Sequence, residues 1–218
     1  MRIVAISDTH DNHRQIEIPP CDILIVAGDF TCHREPIREK YEDFREWLKE
    51  QPAKWKVVVA GNHDTLLEQI DGAEFFNGNG IWYLQDETLN IYIAPEDRKD
   101  GKAFLRIYGS PWTPEFAGWA FMKPDEELKE YWDKIPEDTD ILITHGPPLG
   151  FLDENSSGYF CGSKSLWDTL QVKKPKYHIF GHIHESFGEY KSKNILFLNV
   201  AQTNVLNEII NDPVVIDL

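Results

Sequence analysis

Short groups of Asp, His and Asn recur five times along the chain, each directly after an apolar run. Carboxylate and amide oxygens together with imidazole nitrogens are ligands for Mn, Fe, Zn, Co or Ni at mixed nitrogen–oxygen sites. No cysteine lies in any of these groups, so they do not indicate a thiolate zinc site. The five groups are Ser7-Asp8-Thr9-His10, Gly28-Asp29, Gly61-Asn62-His63-Asp64, Thr144-His145-Gly146 and Gly181-His182-Ile183-His184.

Each group taken alone has an ordinary structural explanation. Gly28-Asp29 is a turn signal, and His145 alone is more often a hydrogen-bonded histidine than a ligand. His182 and His184 fit an edge strand with exposed side chains equally well. Five such groups in one chain, each after a buried strand, are not plausible as independent coincidences. Together they therefore predict a metal site.

The elements that must position these residues are short Val-, Ile- and Leu-rich runs. Such continuous apolar runs are typical of strands that are covered on both faces. In open α/β sheets, ligands bind at the carboxyl ends of the strands, which is where all five groups lie. The runs are Ile3–Ile6, Ile23–Ala27, Val57–Ala60, Ile141–Thr144 and His178–Phe180.

Further strands and several helices are predicted between and after these runs. Pro36 suits a first helical turn, and the following apolar residues are spaced as one stripe up to Leu48. Alternation of strands with helices predicts an α/β fold of two or more layers. The further strands are 81–84, 89–94, 104–108, 195–200 and 214–218, and the other helices are 65–70, 125–134 and 163–172, with Ser163 as the N-cap of the last.

Composition narrows the classes of function. A chain of 218 residues with 41% hydrophobic residues fits one domain over 1–218. Its net charge of −15 argues against a basic nucleic-acid-binding face, so no stable nucleic-acid complex is expected. An acidic protein also repels anionic substrates at long range. If the substrate is a phosphate ester, bound metal cations would reverse the sign of the charge locally.

The three cysteines, Cys21, Cys32 and Cys161, form neither a disulfide framework nor a Cys-x-x-Cys pair. No signal peptide is visible, and no apolar stretch approaches the roughly 20 residues of a membrane span. We therefore expect a cytoplasmic protein without membrane contact, and a homodimer is left open. Two irregular insertions are expected, over 95–102 and over 146–162, where Tyr159 and Phe160 could line a pocket.

The chain resembles the calcineurin-like metallophosphoesterase superfamily. Its signature is Asp-x-His, Gly-Asp, Gly-Asn-His-Asp/Glu, a later His and Gly-His-x-His, and all five blocks are present. A closer resemblance, to the metallophosphoesterase-domain-containing subgroup, rests on 28–31, 109–112, 118–121, 145–150 and 181–185. The resemblance implies the metallo-dependent phosphatase fold, a four-layer αββα sandwich with two mixed β-sheets, over the whole of 1–218.

The resemblance also implies a role for each ligand. Two divalent cations are expected, with Mn preferred and Fe, Zn, Co or Ni as alternatives. The second cation would be held by Asn62, His145 and His182. The first would be held by Asp8, His10, Asp29 and His184, with Asp29 bridging the two.

The implied activity is hydrolysis of small phosphodiesters, including nucleotide and cyclic-nucleotide diesters. The alternatives are a phosphomonoesterase, including a protein phosphatase, and a non-catalytic nucleotide-binding scaffold. Our hypothesis is in-line attack by a hydroxide that bridges the metals. His63 would act as general acid or transition-state stabiliser, and Asp64 would either orient its ring or cap the following helix.

Substrate contacts are predicted less directly. Asn12 and His13 follow the first group closely, so they either touch the phosphate or lie in an exposed loop. Trp112, together with Phe116 and Trp119, either stacks on a nucleobase or packs in the core.

Overall fold

The apolar runs form strands in a computed structural model that describes residues 1–94 and 101–218. Residues 95–100 of the expected insertion over 95–102 lie outside this description. Strand bounds agree with the predicted ones within a few residues. In chain order the strands are β1 (Arg2–Ile6), β2 (Ile23–Ala27), β3 (Trp55–Val59), β4 (Ile81–Tyr83), β5 (Glu87–Tyr92), β6 (Phe104–Ser110), β7 (Thr113–Pro114), β8 (Met122–Lys123), β9 (Ile141–Thr144), β10 (Tyr177–Phe180), β11 (Gly188–Lys191), β12 (Leu196–Asn199) and β13 (Val214–Asp217).

These strands build two mixed sheets. The first has the order β13-β1-β2-β3-β4, in which β1 to β4 are parallel and β13 is antiparallel to β1. The second has the order β11-β12-β10-β9-β6-β5, with parallel inner strands and antiparallel strands at both edges. Strands β7 and β8 form a small parallel pair of their own. In both sheets the ligand-bearing strands are parallel, so their carboxyl ends lie at one edge.

In the part of the chain that the structure describes, four α-helices flank the sheets: α1 (Arg38–Glu50), α2 (Gly72–Phe76), α3 (Asp125–Trp132) and α4 (Lys164–Lys173). The predicted stripe of α1 is buried through Tyr41, Phe44 and Leu48. Its start was predicted too early: Ile37, the first apolar residue after Pro36, is the N-cap and is 39% exposed. Ser163 caps α4 as predicted, because its hydroxyl accepts a hydrogen bond of 3.0 Å from the amide of Leu166. The predicted helix over 65–70 is a short 3-10 helix, Thr65–Glu68.

Three apolar clusters separate four layers. One contains residues of α1, α2 and the outer face of the first sheet. A second lies between the two sheets and includes Ile25, Val57, Ile143 and Ile179. The third joins α3 and α4 to the outer face of the second sheet. This order of layers confirms the predicted αββα sandwich and explains why apolar residues fill the central strands on both faces.

Some elements carry no strong sequence signal. Strand β11 has the sequence Gly-Glu-Tyr-Lys, and three of its four residues are exposed. An edge strand of this kind lacks the alternation by which a half-buried strand is predicted. Helix α2 has only five residues, so it provides little more than one turn of periodicity. Within the described ranges, none of the helices has the length and apolar character needed to cross a membrane.

The core between the sheets should dominate stability. Ile143 is fully buried there, whereas Ile210 is 59% exposed. We expect Ile143→Ala to lower the free energy of unfolding by about 2–5 kcal/mol, through lost burial and the cavity left behind. The same substitution at Ile210 should cost less than about 0.5 kcal/mol. Urea denaturation of both variants measures the difference, and equal losses would contradict this assignment of the core.

Candidate metal centre and its pocket

The predicted ligands lie where the parallel strands end and the chain turns sharply. Asp8, His10, Asp29 and His182 all have positive φ, of 53°, 42°, 52° and 69°. Asp and His tolerate this left-handed conformation better than most residues, yet it costs of order 1–3 kcal/mol each. Such strain persists where the surroundings over-determine it, and it is typical of functional sites. Here it turns the chain at the strand ends that carry the ligands.

Six of the predicted ligands form two groups, each with its ligand atoms within 4.8 Å of one another. One group is Asp8, His10 and His184, and the other is Asp29, His145 and His182. The seventh, Asn62, places Oδ1 2.9 Å from Nε2 of His145. The structure thus brings together all seven side chains, although Asp29 falls in the second group. Its bridging role remains a prediction from the resemblance.

Backbone carbonyl groups orient three of the imidazoles. The Nδ1–H of His10 donates to Thr31 O at 3.1 Å, and that of His184 donates to Asn204 O at 3.0 Å. His145 Nδ1 likewise lies 2.9 Å from Ala27 O. In each ring this leaves Nε2 facing the other ligands, which is the arrangement in which a second hydrogen bond directs a metal-binding histidine.

The donor atoms have the character of a cation site. With both Nδ1 atoms protonated, Nε2 of His10 and of His184 present lone pairs to each other at 3.1 Å, which is repulsive unless a cation or proton intervenes. Among the described residues, Asp8 Oδ1 is buried and accepts no hydrogen bond of normal geometry, and its nearest charged neighbour is His184 Nε2 at 3.3 Å. Buried carboxylates are normally paired or bound to metals. The residues therefore fit a metal.

Charge and burial oppose each other in the site. Burial disfavours the charged form of both His145 and His184, yet Asp29 and Asp8 respectively raise their pKa values to about 9. Burial also disfavours ionised Asp8, but the imidazole of His184, whose Nε2 is 3.3 Å away, lowers its pKa to about 2. The carboxylates thus favour positive charge at these positions, as a bound cation requires.

Two glycines make room for the carboxylates. A Cβ on Gly61 would lie 2.2 Å from Asp29 Oδ1, and a Cβ on Gly181 would lie 2.0 Å from Asp8 Oδ2. Both separations are well inside van der Waals contact. Gly61 and Gly181 are therefore required in their motifs, because any larger residue would overlap a carboxylate that is a predicted ligand.

His63 lies beside the ligands, as the sequence predicted. Its amide donates to Asp29 Oδ1 at 2.7 Å, and its ring stacks on Trp119 with centroids 4.0 Å apart. Nδ1 lies 3.3 Å from the carbonyl oxygen of Cys32. His63 is therefore held on three sides at the edge of the metal centre.

The interpretation of Asp64 needs correction. Its carboxylate accepts hydrogen bonds from the amides of Asp29, Gly61 and Thr31 at 2.8, 2.7 and 3.1 Å. It occupies the N-cap position of the 3-10 helix but makes no side-chain capping bond. The partner of the His63 ring is instead the Cys32 carbonyl. Asp64 joins the loops after β2 and β3, because buried amides there need an acceptor.

Two predicted substrate contacts face the protein rather than the pocket. His13 is buried, with Nε2 3.0 Å from Asp43 Oδ2 on α1. The side-chain nitrogen Nδ2 of Asn12 donates hydrogen bonds to the backbone carbonyls of His10 and Asn207, at 3.0 and 2.9 Å. Neither side chain is in the described pocket lining, because a polar residue next to a motif can turn to either side of the loop.

The third predicted substrate contact, Trp112, also packs within the protein. Its indole N–H donates to Asp86 Oδ2 at 2.9 Å, and its ring packs on Phe121 and Tyr131. It is absent from the described pocket lining. Core packing, the second interpretation made from the sequence, is therefore the one that fits this side chain.

The pocket over the centre has a volume of about 490 Å³. One wall is apolar and aromatic, with Phe116, Trp119 and Val205. No Lys or Arg is in its described lining, although Arg34 packs behind this wall, 4.6 Å from the ring centroid of Trp119. Tyr159 and Phe160 are also absent from that lining and are exposed. The lining residues are His10, Asp29, Asn62, His63, Phe116, Trp119, His182, His184, Glu185, Val205 and Asn207.

Sequence reasoning missed three of these residues: Glu185, Val205 and Asn207. Glu185 directly follows the last motif, so its position was a usable signal. Val205 and Asn207 lie in a loop after β12 that has no motif of its own. The loop reaches the site because Asn204 O holds His184 and Thr203 Oγ1 donates to Asp8 O at 2.8 Å.

The αββα sandwich and the clustered Asp, His and Asn side chains define a metallo-dependent phosphatase fold with a metal centre. A family model, calcineurin-like phosphoesterase, matches residues 1–186, and the chain belongs to this family. It is a metal-dependent phosphoesterase.

Particular relatives extend the match over the whole chain. Human metallophosphoesterase domain-containing protein 1 is 39% identical over 232 residues, covering 100% of this chain and 71% of its own length. The UPF0046 protein K07C11.7 of Caenorhabditis elegans is 37% identical, covering 99% of this chain and 74% of its own length. The phosphopantetheinyl hydrolase of Mycobacterium tuberculosis has the same fold, with a TM-score of 0.56 at 17% identity, covering 91% of this chain and 88% of that one.

We expect Gly181→Ala to weaken metal binding by about 10–100-fold, because the added methyl group must displace Asp8, and disturbing the support of a ligand typically costs that much. Gly72→Ala is the matched control. A Cβ there meets the ring of Tyr83 at 2.4 Å, away from the centre. Metal content after equilibration with Mn²⁺ should fall only in the first variant. Unchanged affinity in Gly181→Ala would contradict the role of this glycine.

Proposed function

We propose that the chain is a phosphodiesterase with two divalent cations, acting on small nucleotide or cyclic-nucleotide diesters. The observation that carries the proposal is two ligand groups, one around Asp8 and one around Asp29, facing a single pocket with an aromatic wall. Two groups support two cations, and the aromatic wall supports a substrate that bears a ring.

The cations are proposed to be Mn²⁺, held through Asp8, His10 and His184 and through Asp29, Asn62, His145 and His182. When bound, such cations supply Lewis-acid chemistry, lowering the pKa of water to about 7 and neutralising phosphoryl charge. Oxygen and imidazole donors without sulfur suit Mn²⁺, and also Fe, Zn, Co and Ni.

The residues of the chain contribute binding, orientation and proton transfer. In the imidazolium form, His63 donates Nδ1–H to Cys32 O and keeps Nε2–H for the leaving oxygen of the ester. Stacking on Trp119 restrains its ring, so little orientational freedom is lost on reaching the transition state. His63 is therefore the proposed general acid, and Trp119 is a positioning residue.

Charge at the pocket supports a diester over a monoester. A diester carries one negative charge, whereas a monoester approaches two at neutral pH. The described lining contains Glu185 and neither Lys nor Arg, so it offers no permanently charged cationic side chain to a second phosphate charge. Phe116, which is 70% exposed, offers a ring face to a nucleobase.

Replacement of His63 by Ala should lower kcat by about 10²–10⁴-fold, the usual contribution of a positioned general acid. Metal content should stay at the level of the unmodified protein, because His63 is not among the grouped ligands. His13→Gln is the control, since His13 is a buried histidine that faces α1. Normal turnover by His63→Ala would exclude the acid role.

Bis-p-nitrophenyl phosphate should be hydrolysed with a higher kcat/KM than p-nitrophenyl phosphate. Phe116→Ala should lower kcat/KM for a cyclic nucleotide, if stacking contributes about 1–3 kcal/mol. Tyr159→Ala is the matched control, because Tyr159 is equally exposed, at 70%, and lies outside the described lining.

A preference for the monoester would favour a phosphomonoesterase. Binding of nucleotides by metal-loaded protein, without hydrolysis of either ester, would instead favour a non-catalytic scaffold.

A further inference from the structure

A third set of metal-ligand atoms lies next to the centre but does not belong to it. Asp11, Cys32 and His33 bring a carboxylate oxygen, a sulfur and a ring nitrogen within 4.8 Å of one another. Asp11 Oδ2 is 2.9 Å from Cys32 Sγ and 3.0 Å from His33 Nε2. Each of the three residues is half-buried. The function proposed above uses none of these side chains.

The fold brings these side chains together. Asp11 follows the β1 motif, and its amide donates to Phe30 O at 3.0 Å, which places it against the loop after β2. Cys32 and His33 lie further along that same loop. The cluster is thus formed by the two loops that also carry His10 and Asp29, on the side where Cys32 O meets the ring of His63.

The carboxylate of Asp11 is incompletely satisfied. Both contacts reach Oδ2, while Oδ1 is buried and has no hydrogen-bond partner among the described residues. A buried carboxylate oxygen without a partner costs free energy, and a cation bound by both oxygens of Asp11 would recover it. The thiol is not a ready nucleophile, because burial and Asp11 raise the pKa of Cys32 to about 12.

We propose that Asp11, Cys32 and His33 bind a further divalent cation, for which Zn²⁺ is the best match. Sulfur, imidazole and carboxylate donors are a familiar zinc set, and three protein ligands leave one position for water. Tetrahedral zinc needs such atoms about 3.3–3.5 Å apart, so the present separations must widen by a few tenths of an ångström. The His33 side chain, 38% exposed, is free enough to move that far.

Such a cation would act on the loop behind His63. It would tie Cys32 to Asp11, and the carbonyl of Cys32 is the hydrogen-bond partner of His63 Nδ1. The site differs in ligand chemistry from the centre over the pocket, which contains no sulfur. A sulfur-specific signal can therefore separate the two sites.

Titration of the metal-free protein with Co²⁺ tests the proposal. A thiolate–Co²⁺ charge-transfer band in the near ultraviolet should appear, and metal analysis should give a third equivalent of metal per chain. Cys32→Ser should abolish the band and reduce the content to two equivalents. Cys161→Ser, a change at another half-buried cysteine, should leave the band intact. Competition with Zn²⁺ should remove the band.

His33→Gln provides a second test if Cys32→Ser does not fold, because its side chain is partly exposed. It should weaken Co²⁺ binding measured by the band. Absence of the band in the unmodified protein, or its persistence in Cys32→Ser, would overturn the proposal. Neither readout uses catalysis, so failure here is distinguishable from failure of the proposed phosphodiesterase activity.

Discussion

Two buried carboxylates, Asp8 and Asp29, set the constraint on which the rest of the structure depends. Each is at most 2% exposed, and anions cost several kcal/mol to bury unless positive charge compensates them. The surrounding imidazoles supply positive charge, and backbone carbonyls orient their rings. The neighbouring glycines leave the space that the two carboxylates occupy. In a chain of net charge −15, a compact cationic centre is also what lets an anionic ester approach.

The centre is assembled from both sheets. Asp8, Asp29 and Asn62 follow strands of the first sheet, whereas His145, His182 and His184 follow strands of the second. Neither sheet carries a complete set of ligands. The apolar cluster between them therefore determines the ligand distances as well as the stability, because it sets how the two rows of strand ends face each other.

The features that could be predicted from the sequence are the strands and the ligands that follow them. Continuous apolar runs indicate the strands, and the motifs that follow them indicate the ligands, because both have a fixed spacing. The direction of a side chain in an irregular loop has no such signal, so the hydrogen bonds of Asn12 and His13 within the protein could not be predicted. The roles of Thr31 and Asn204 depend on their carbonyl groups, which every residue possesses. Trp112 and Trp119 are alike in sequence, and only tertiary packing separates them.

The loop after β12 supports the metal centre, although it lies beyond the last sequence motif. The family model stops at residue 186, yet Asn204 orients His184, Thr203 anchors Asp8 O, and β13 pairs with β1. An alignment of relatives that stops at the last motif would include every ligand. It would omit the residues that position two of those ligands, His184 and Asp8. Divergence among relatives in this tail, where no motif marks it, would alter the metal centre while leaving its signature intact.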